Sequence, residues 1–266
     1  MIREITIGQY YQTESVIHSL DPRVKLVSTI LYIISLFIYK EPLPFILAGL
    51  FLALCVILSK VPFSYMVRGL KTIFFLMLIT ALFNLFLTPG ETIFTVWKLS
   101  ITLEGLKAAV YMALRLVMLV IGSSLMTLTT TPTMLTDAME KLLWPFQKIG
   151  LPVHEIAMMM SIALRFIPIL LEETDKIMKA QMARGADFES GNILKRLKAM
   201  VPILVPLFIS AFRRANDLAM AMEARCYQGG EGRTKMKPLR YRRADTVAYI
   251  AVLLYFAAVI AAGQIF

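Results

Sequence analysis

Five stretches of this chain hold little besides hydrocarbon: about Val24–Tyr39, Pro44–Leu58, Leu70–Leu87, Leu103–Leu128 and Thr246–Phe266. A helix needs roughly 17–25 predominantly apolar residues to cross a bilayer. Inside hydrocarbon, every backbone N–H and C=O has to be satisfied within the protein. Runs of this kind point to an all-α integral membrane protein of about five transmembrane helices. The first two runs are short, so Lys25, Lys40 and Lys60 at their ends are expected to snorkel outward. Composition agrees: 58% of the 266 residues are hydrophobic and 17% charged, against about a quarter charged in soluble domains. Met1–Asp21 is polar and has no short apolar stretch before a small-residue cleavage site, so the first run reads as a retained span.

The charges orient the bundle. The net charge is +10, and Lys and Arg accumulate in cytoplasmic loops and favour anionic headgroups. With the N-terminus inside, Arg3, Arg23 and Lys25, then Lys60, Arg68 and Lys71, face the cytoplasm. Lys40, Lys98 and Lys107 face out. Between Thr129 and Ala244 there are 18 Lys/Arg against 11 Asp/Glu, which adds the largest basic segment to the inner side. The reading is N-terminus in, C-terminus out, with the basic excess serving the lipid bilayer and not nucleic acid.

Three domains follow: a four-span bundle over 1–128, a cytoplasmic or interfacial region of long helices over 129–244, and a C-terminal span over 245–266. In the middle region "TTTPTMLTDAMEKLL" reads as a helix start, with Thr131 as N-cap and Pro132 at the first helical position. A long helical pattern from Glu155 is expected to kink near Pro168 and to stop at Gly185. After the turn "DFESGN" a second long pattern runs from Ile193 and ends near glycines. Ile156–Leu171 contains Arg165 and Pro168, and Val201–Phe212 is only a dozen residues, so both long helices are expected partly in the interface.

No catalytic constellation is present. The chain lacks a Walker-type Gly-rich loop, His-Glu-x-x-His and Gly-x-Ser-x-Gly. Cys55 and Cys226 make no disulfide framework, and His18 and His154 fall outside the five runs. Glu172 and Glu173 have no histidines beside them and read as a solvated helix face, so no metal site is expected. Arg115 is the one ionisable residue near the middle of a span. A charge there is costly, so it is expected to tie the bundle together or to serve a subunit contact, with Asn84, Ser123, Ser124 or backbone carbonyls as partners.

The pattern Ala-x-x-Ala-Arg-small occurs twice, at Ala180–Gly185 and Ala221–Cys226. Each arginine sits near the end of a helical run, where the helix dipole favours a cation. The small neighbours leave the guanidinium accessible, and its planar five-donor fork suits carboxylates and carbonyls of a partner.

With "HSLDPRVKL" (His18–Leu26), "TLTTTPTML" (Thr127–Leu135), "ALRFIPILLEE" (Ala163–Glu173), "MARGAD" (Met182–Asp187) and "EARCYQGG" (Glu223–Gly230), the chain resembles the transmembrane T component of energy-coupling-factor transporters. The resemblance implies a non-catalytic scaffold of a vitamin or metal-ion uptake complex in a prokaryotic cell membrane. Two ATP-binding-cassette ATPases, which themselves bind ATP and Mg, would dock on the paired motifs, and a membrane S component would ride on the same long helices. It makes Ala183, Arg184, Gly185, Ala224, Arg225 and Cys226 the docking residues and implies no cofactor for this chain itself. Cys226 stands where glycine is common, which leaves Gly229 and Gly230 as an alternative helix stop. The other classes are a membrane-embedded enzyme, disfavoured by the missing catalytic groups, and a self-contained secondary transporter. The latter should carry polar, interrupted helices at the midplane, and the runs here are nearly pure hydrocarbon apart from Arg115.

Overall fold

The computed structural model describes residues 10–38, 41–96, 99–188, 192–230, 235–236 and 238–265. Arg3, Lys40, Lys98, the centre of the turn between Phe188 and Asn192, and the C-terminal Phe266 lie outside them. Two compact units emerge, Gly8–Ala138 with Leu239–Phe266, and Met139–Pro238.

The first unit is a helical bundle. A single turn, α1 (Val16–Ser19), precedes α2 (Pro22–Ile38), α3 (Pro42–Ser59), α4 (Phe63–Leu87), α5 (Leu103–Thr129) and the C-terminal α9 (Arg243–Ile265). Among the described residues, Pro42–Ser59, Leu103–Thr129, Val153–Ala183 and Arg243–Gln264 are long and apolar enough to cross a membrane. The α4 helix, bent by 60° between Phe63–Lys71 and Ile73–Leu87, makes a fifth if it counts as one span. At 17 residues, α2 lies at the short edge of the spanning range of roughly 17–25. The expectation of about five apolar helices is met, though their membership differs. Val153–Ala183 has the length and hydropathy of a span despite Arg165 and Pro168.

The protein is an all-α membrane protein, with a short hairpin between α4 and α5. Strands β1 (Thr92–Val96) and β2 (Leu99–Thr102) pair antiparallel, with Phe94 opposite Ile101, Thr95 opposite Ser100 and Val96 opposite Leu99. The segment "TIFTV" consists of β-branched and aromatic residues, a strand signal. Thr102 joins this hairpin to α5. Its hydroxyl accepts from the Gly105 N–H at 3.0 Å as an N-cap and donates to the Thr88 carbonyl at 2.8 Å.

The bundle core gathers Tyr32, Leu36, Leu52, Met66, Leu125 and Val259. Phe51 stacks on Tyr255 with ring centroids 4.3 Å apart, and the Tyr255 hydroxyl meets Ser35 Oγ at 2.6 Å. At one end of the bundle the residues of "HSLDPRVKL" form a polar clasp. Lys25 is buried, and its ammonium donates to the carbonyls of Thr129 at 2.8 Å and His18 at 3.1 Å. The last carbonyls of a helix lack intrahelical donors and carry the negative dipole end, so Lys25 completes the end of α5 from another helix. Asp245, also buried, accepts from the backbone N–H of Arg242 and of Asp21, both at 2.7 Å. One carboxylate thus caps α9 and pins the start of α2 to it. Arg23 pairs with Asp21 at 2.8 Å and lies over the Tyr241 ring at 3.8 Å. Burial by itself would raise the Asp21 carboxyl, but the Arg23 hydrogen bonds and charge outweigh it and hold it below its ordinary value.

The second unit holds α7 (Val153–Ala183) and α8 (Ile193–Glu223). The preceding helix α6 (Pro132–Leu143) starts as expected: the Met134 N–H donates to Thr131 Oγ1 at 3.3 Å, with Pro132 at its first position. A 3₁₀ turn, Trp144–Ile149, leads to α7. Pro168 lies inside α7, which continues unbroken through it.

Candidate functional site

The two repeated motifs end these long helices in the same way. At the end of α7, Arg184 is the C-cap, Gly185 follows with φ +89°, the Gly185 N–H donates to Met182 O at 2.9 Å, and the Ala186 N–H donates to Gln181 O at 3.0 Å. At the end of α8 the Cys226 N–H donates to Glu223 O at 2.8 Å and the Tyr227 N–H to Met222 O at 3.1 Å. Both are Schellman turns, in which the residue after the cap is left-handed and two crossed bonds close the helix. The arginine holds the same place in each, immediately before the left-handed residue.

The stop at the second motif is Cys226 itself, with φ +54°. It is not displaced to Gly229 or Gly230. A side chain in the left-handed region costs roughly 1–2 kcal/mol. The crossed bonds offset this, so the departure from glycine leaves the turn intact.

Arg184 and Arg225 are exposed, as are Ala183, Gly185, Ala224 and Cys226. Among the described residues neither guanidinium has a hydrogen-bond or ion-pair partner. Each is a five-donor fork beside small side chains, held by a rigid turn and offered outward.

Other contacts in this unit escaped sequence reasoning. Glu173, which reads as solvated, accepts from Arg214 at 3.2 Å and so joins α7 to α8. Pro206 has no N–H to give to the carbonyl of Pro202 four residues back. Gln181 Nε2, within the first motif and three residues before Arg184, approaches that carbonyl at 3.4 Å. The two prolines of "VPILVP" were the available signal, since a proline inside a helix always frees a carbonyl that some donor can use.

Arg115 packs against aromatic rings. Its guanidinium carbon lies 5.4 Å from the centroid of Phe37 and 5.2 Å from that of Phe45, in the geometry of cation–π attraction. Phe37 lies at the end of α2 and Phe45 near the start of α3, so Arg115, central in α5, reaches the ends of two other helices. Ser123 and Asn84 donate to carbonyls of their own helices.

Residues 13–236 match the family model described as cobalt transport protein. That span contains both motifs and the His18–Leu26 and Thr129 side of the clasp, while Tyr241, Arg242 and Asp245 lie beyond it. A relative from Clostridium kluyveri is 57% identical over 257 residues, covering 96% of this chain and 95% of its own. One from Ruminiclostridium cellulolyticum is 50% identical over the full length of both chains. A Bacillus subtilis relative is 49% identical over 96% of this chain and 99% of its own. All three carry the name energy-coupling factor transporter transmembrane protein EcfT. The chain belongs to this transporter family. It is a multi-pass membrane component of the family, built from apolar helices, and the paired Schellman turns lie within its matched region.

Proposed function

We propose that the chain is the non-catalytic transmembrane scaffold of an energy-coupling-factor transporter for a vitamin or metal ion. It couples ATP-driven movement of two ATPase subunits to a substrate-binding S component. The N-terminus is cytoplasmic and the C-terminus external, which puts the two arginine-bearing helix ends on the ATPase side. The observation that carries this reading is the pair of matching helix ends, each presenting an exposed arginine from an identical turn. Two equal plugs on one subunit suit two related sockets. The ATPases bring ATP and Mg, and this chain contributes position.

An unused apolar surface supports a membrane partner for the same unit. Leu194, Leu197, Val201, Leu204, Phe208 and Phe212 recur at helical spacing along α8 and are exposed. A contiguous exposed apolar stripe marks an interaction surface, and the S component is the partner assigned to it.

The test is capture of the ATPases by tagged protein, read with membrane level and uptake. Each arginine acts as a hot spot, worth about 2 kcal/mol or more, and about 1.4 kcal/mol is a tenfold change in affinity. Arg184→Ala or Arg225→Ala alone weakens capture and lowers uptake further, while the double variant releases the ATPases because the bivalent link is gone. Retention of both ATPases and of full uptake by the double variant overturns the reading.

A further inference from the structure

The chain leaving the second motif does not trail away. Gly230 lies so close to the His154 ring, on the first turn of α7, that a Cβ there would overlap it. Five residues further on, Lys235 Nζ donates to Glu140 Oε2. The other oxygen of Glu140 meets His154 Nδ1 at 3.0 Å. A carboxylate only accepts, so His154 carries its proton on Nδ1. The Glu140 side chain is 15% exposed, so this is a largely desolvated group holding two donors, beyond the ordinary surface pair.

These contacts join the segment after the second motif to the start of α7, the helix whose far end carries the first motif. Further along, Glu173–Arg214 and Gln181–Pro202 tie α7 to α8. The second motif is therefore held from two sides, by α8 before it and by the latch after it.

We propose that Glu140 is a positioning residue that latches the chain after the second motif onto the start of α7, so that the two arginine-bearing helix ends move as one frame. The consequence for transport rests on the docking reading above, whereas the frame itself does not. Without the latch, the contacts of Gly230 and Lys235 no longer hold the second motif from behind, and force on one arginine is no longer shared with the other.

The frame is read by spin-label distance measurements between Met182→Cys and Gln228→Cys in full-length protein carrying Cys55→Ala and Cys226→Gly. The parent gives one narrow distance distribution. Glu140→Gln and, independently, Lys235→Met broaden it, and Gly230→Ala shifts it by pushing on His154. The coupling is read in the reconstituted complex. The Glu140 and Lys235 variants keep both ATPases bound, and substrate moved per ATP hydrolysed falls about threefold or more, the range over which connecting residues modulate coupling. Unchanged distributions in both variants overturn the latch. Broadened distributions with unchanged uptake per ATP overturn its role in coupling. ATPase capture by the Arg184→Ala/Arg225→Ala double variant sinks the docking reading instead and leaves the frame measurement standing.

Discussion

The bundle and the long-helix unit hold themselves together by opposite means. In the bundle, apolar side chains meet one another: Val24 is 1% exposed, Val259 1% and Leu128 2%. Four of its buried polar residues, Asp21, Lys25, Thr129 and Asp245, are gathered at one end and joined by hydrogen bonds reaching across helices. In the second unit, Ile203 is the only described large apolar residue of α8 that is buried, while Leu194 is 71% exposed and Phe212 68%. The helices α7 and α8 pack on each other, and among the described residues an ion pair and one amide contact also join them. A helix of this length with so little buried surface relies on partners for much of its packing. On the proposed function, the bundle is finished by itself and lipid, and the second unit by partner subunits.

The sharpest way to break this contrast is to make matched substitutions in the two regions. Asp245→Ala in the bundle leaves the buried N–H of Asp21 and the part-buried N–H of Arg242 without their acceptor and should cost about 3 kcal/mol. Thermal unfolding in detergent checks it. Phe208→Ser on the exposed stripe of α8 should change the stability of the isolated protein by no more than about 0.5 kcal/mol and yet weaken capture of the S component. A large stability loss from Phe208→Ser would show that the stripe packs within the chain.

Arg115 tests the bundle from its other end. Arg115→Lys keeps a cation near Phe37 and Phe45 and should be milder than Arg115→Leu, which forfeits an attraction of about 1 kcal/mol. ATPase capture should be unaffected by either. Loss of S-component binding at unchanged melting temperature would move Arg115 from the bundle to a subunit contact.

Acid should weaken both regions, through one carboxylate in each. Burial pushes the Glu140 carboxyl up, but the hydrogen bonds from Lys235 and His154 outweigh it, so its pKa ends below the usual value, as does that of Asp21. A depressed carboxyl contributes stability that is present above its unfolded value and lost as pH falls through the lowered folded value. The Asp21→Asn and Glu140→Gln variants should each flatten the acid limb of a melting-temperature profile below about pH 4. A profile that still falls as steeply would remove these groups from the account.

The smallest effect is expected at Cys226. Glycine there removes left-handed strain but adds freedom to the unfolded chain, so Cys226→Gly should gain no more than about 1 kcal/mol. It should leave ATPase capture intact. A loss of capture would mean that the thiol itself touches the partner.

Whatever closes within a few residues was legible in the amino-acid order. Apolar runs specified the helices, Thr131 and Pro132 the start of α6, and Gly185 the end of α7, because each bond involved spans five residues or fewer. The repeated arginines were legible for the same reason, and their matching surroundings predicted the matching turns. Only the tertiary structure decided what depends on distant partners. Asp21 finds Asp245 across 224 positions, Lys25 finds Thr129 across 104, and Lys235 finds Glu140 across 95. Nothing near these residues encodes the pairing, since a carboxylate's partner is chosen by which helices pack together. Cys226 is the intermediate case. Its position in the motif suggested a stop, its side chain argued against one, and the two crossed bonds that pull it left-handed exist only once α8 has formed.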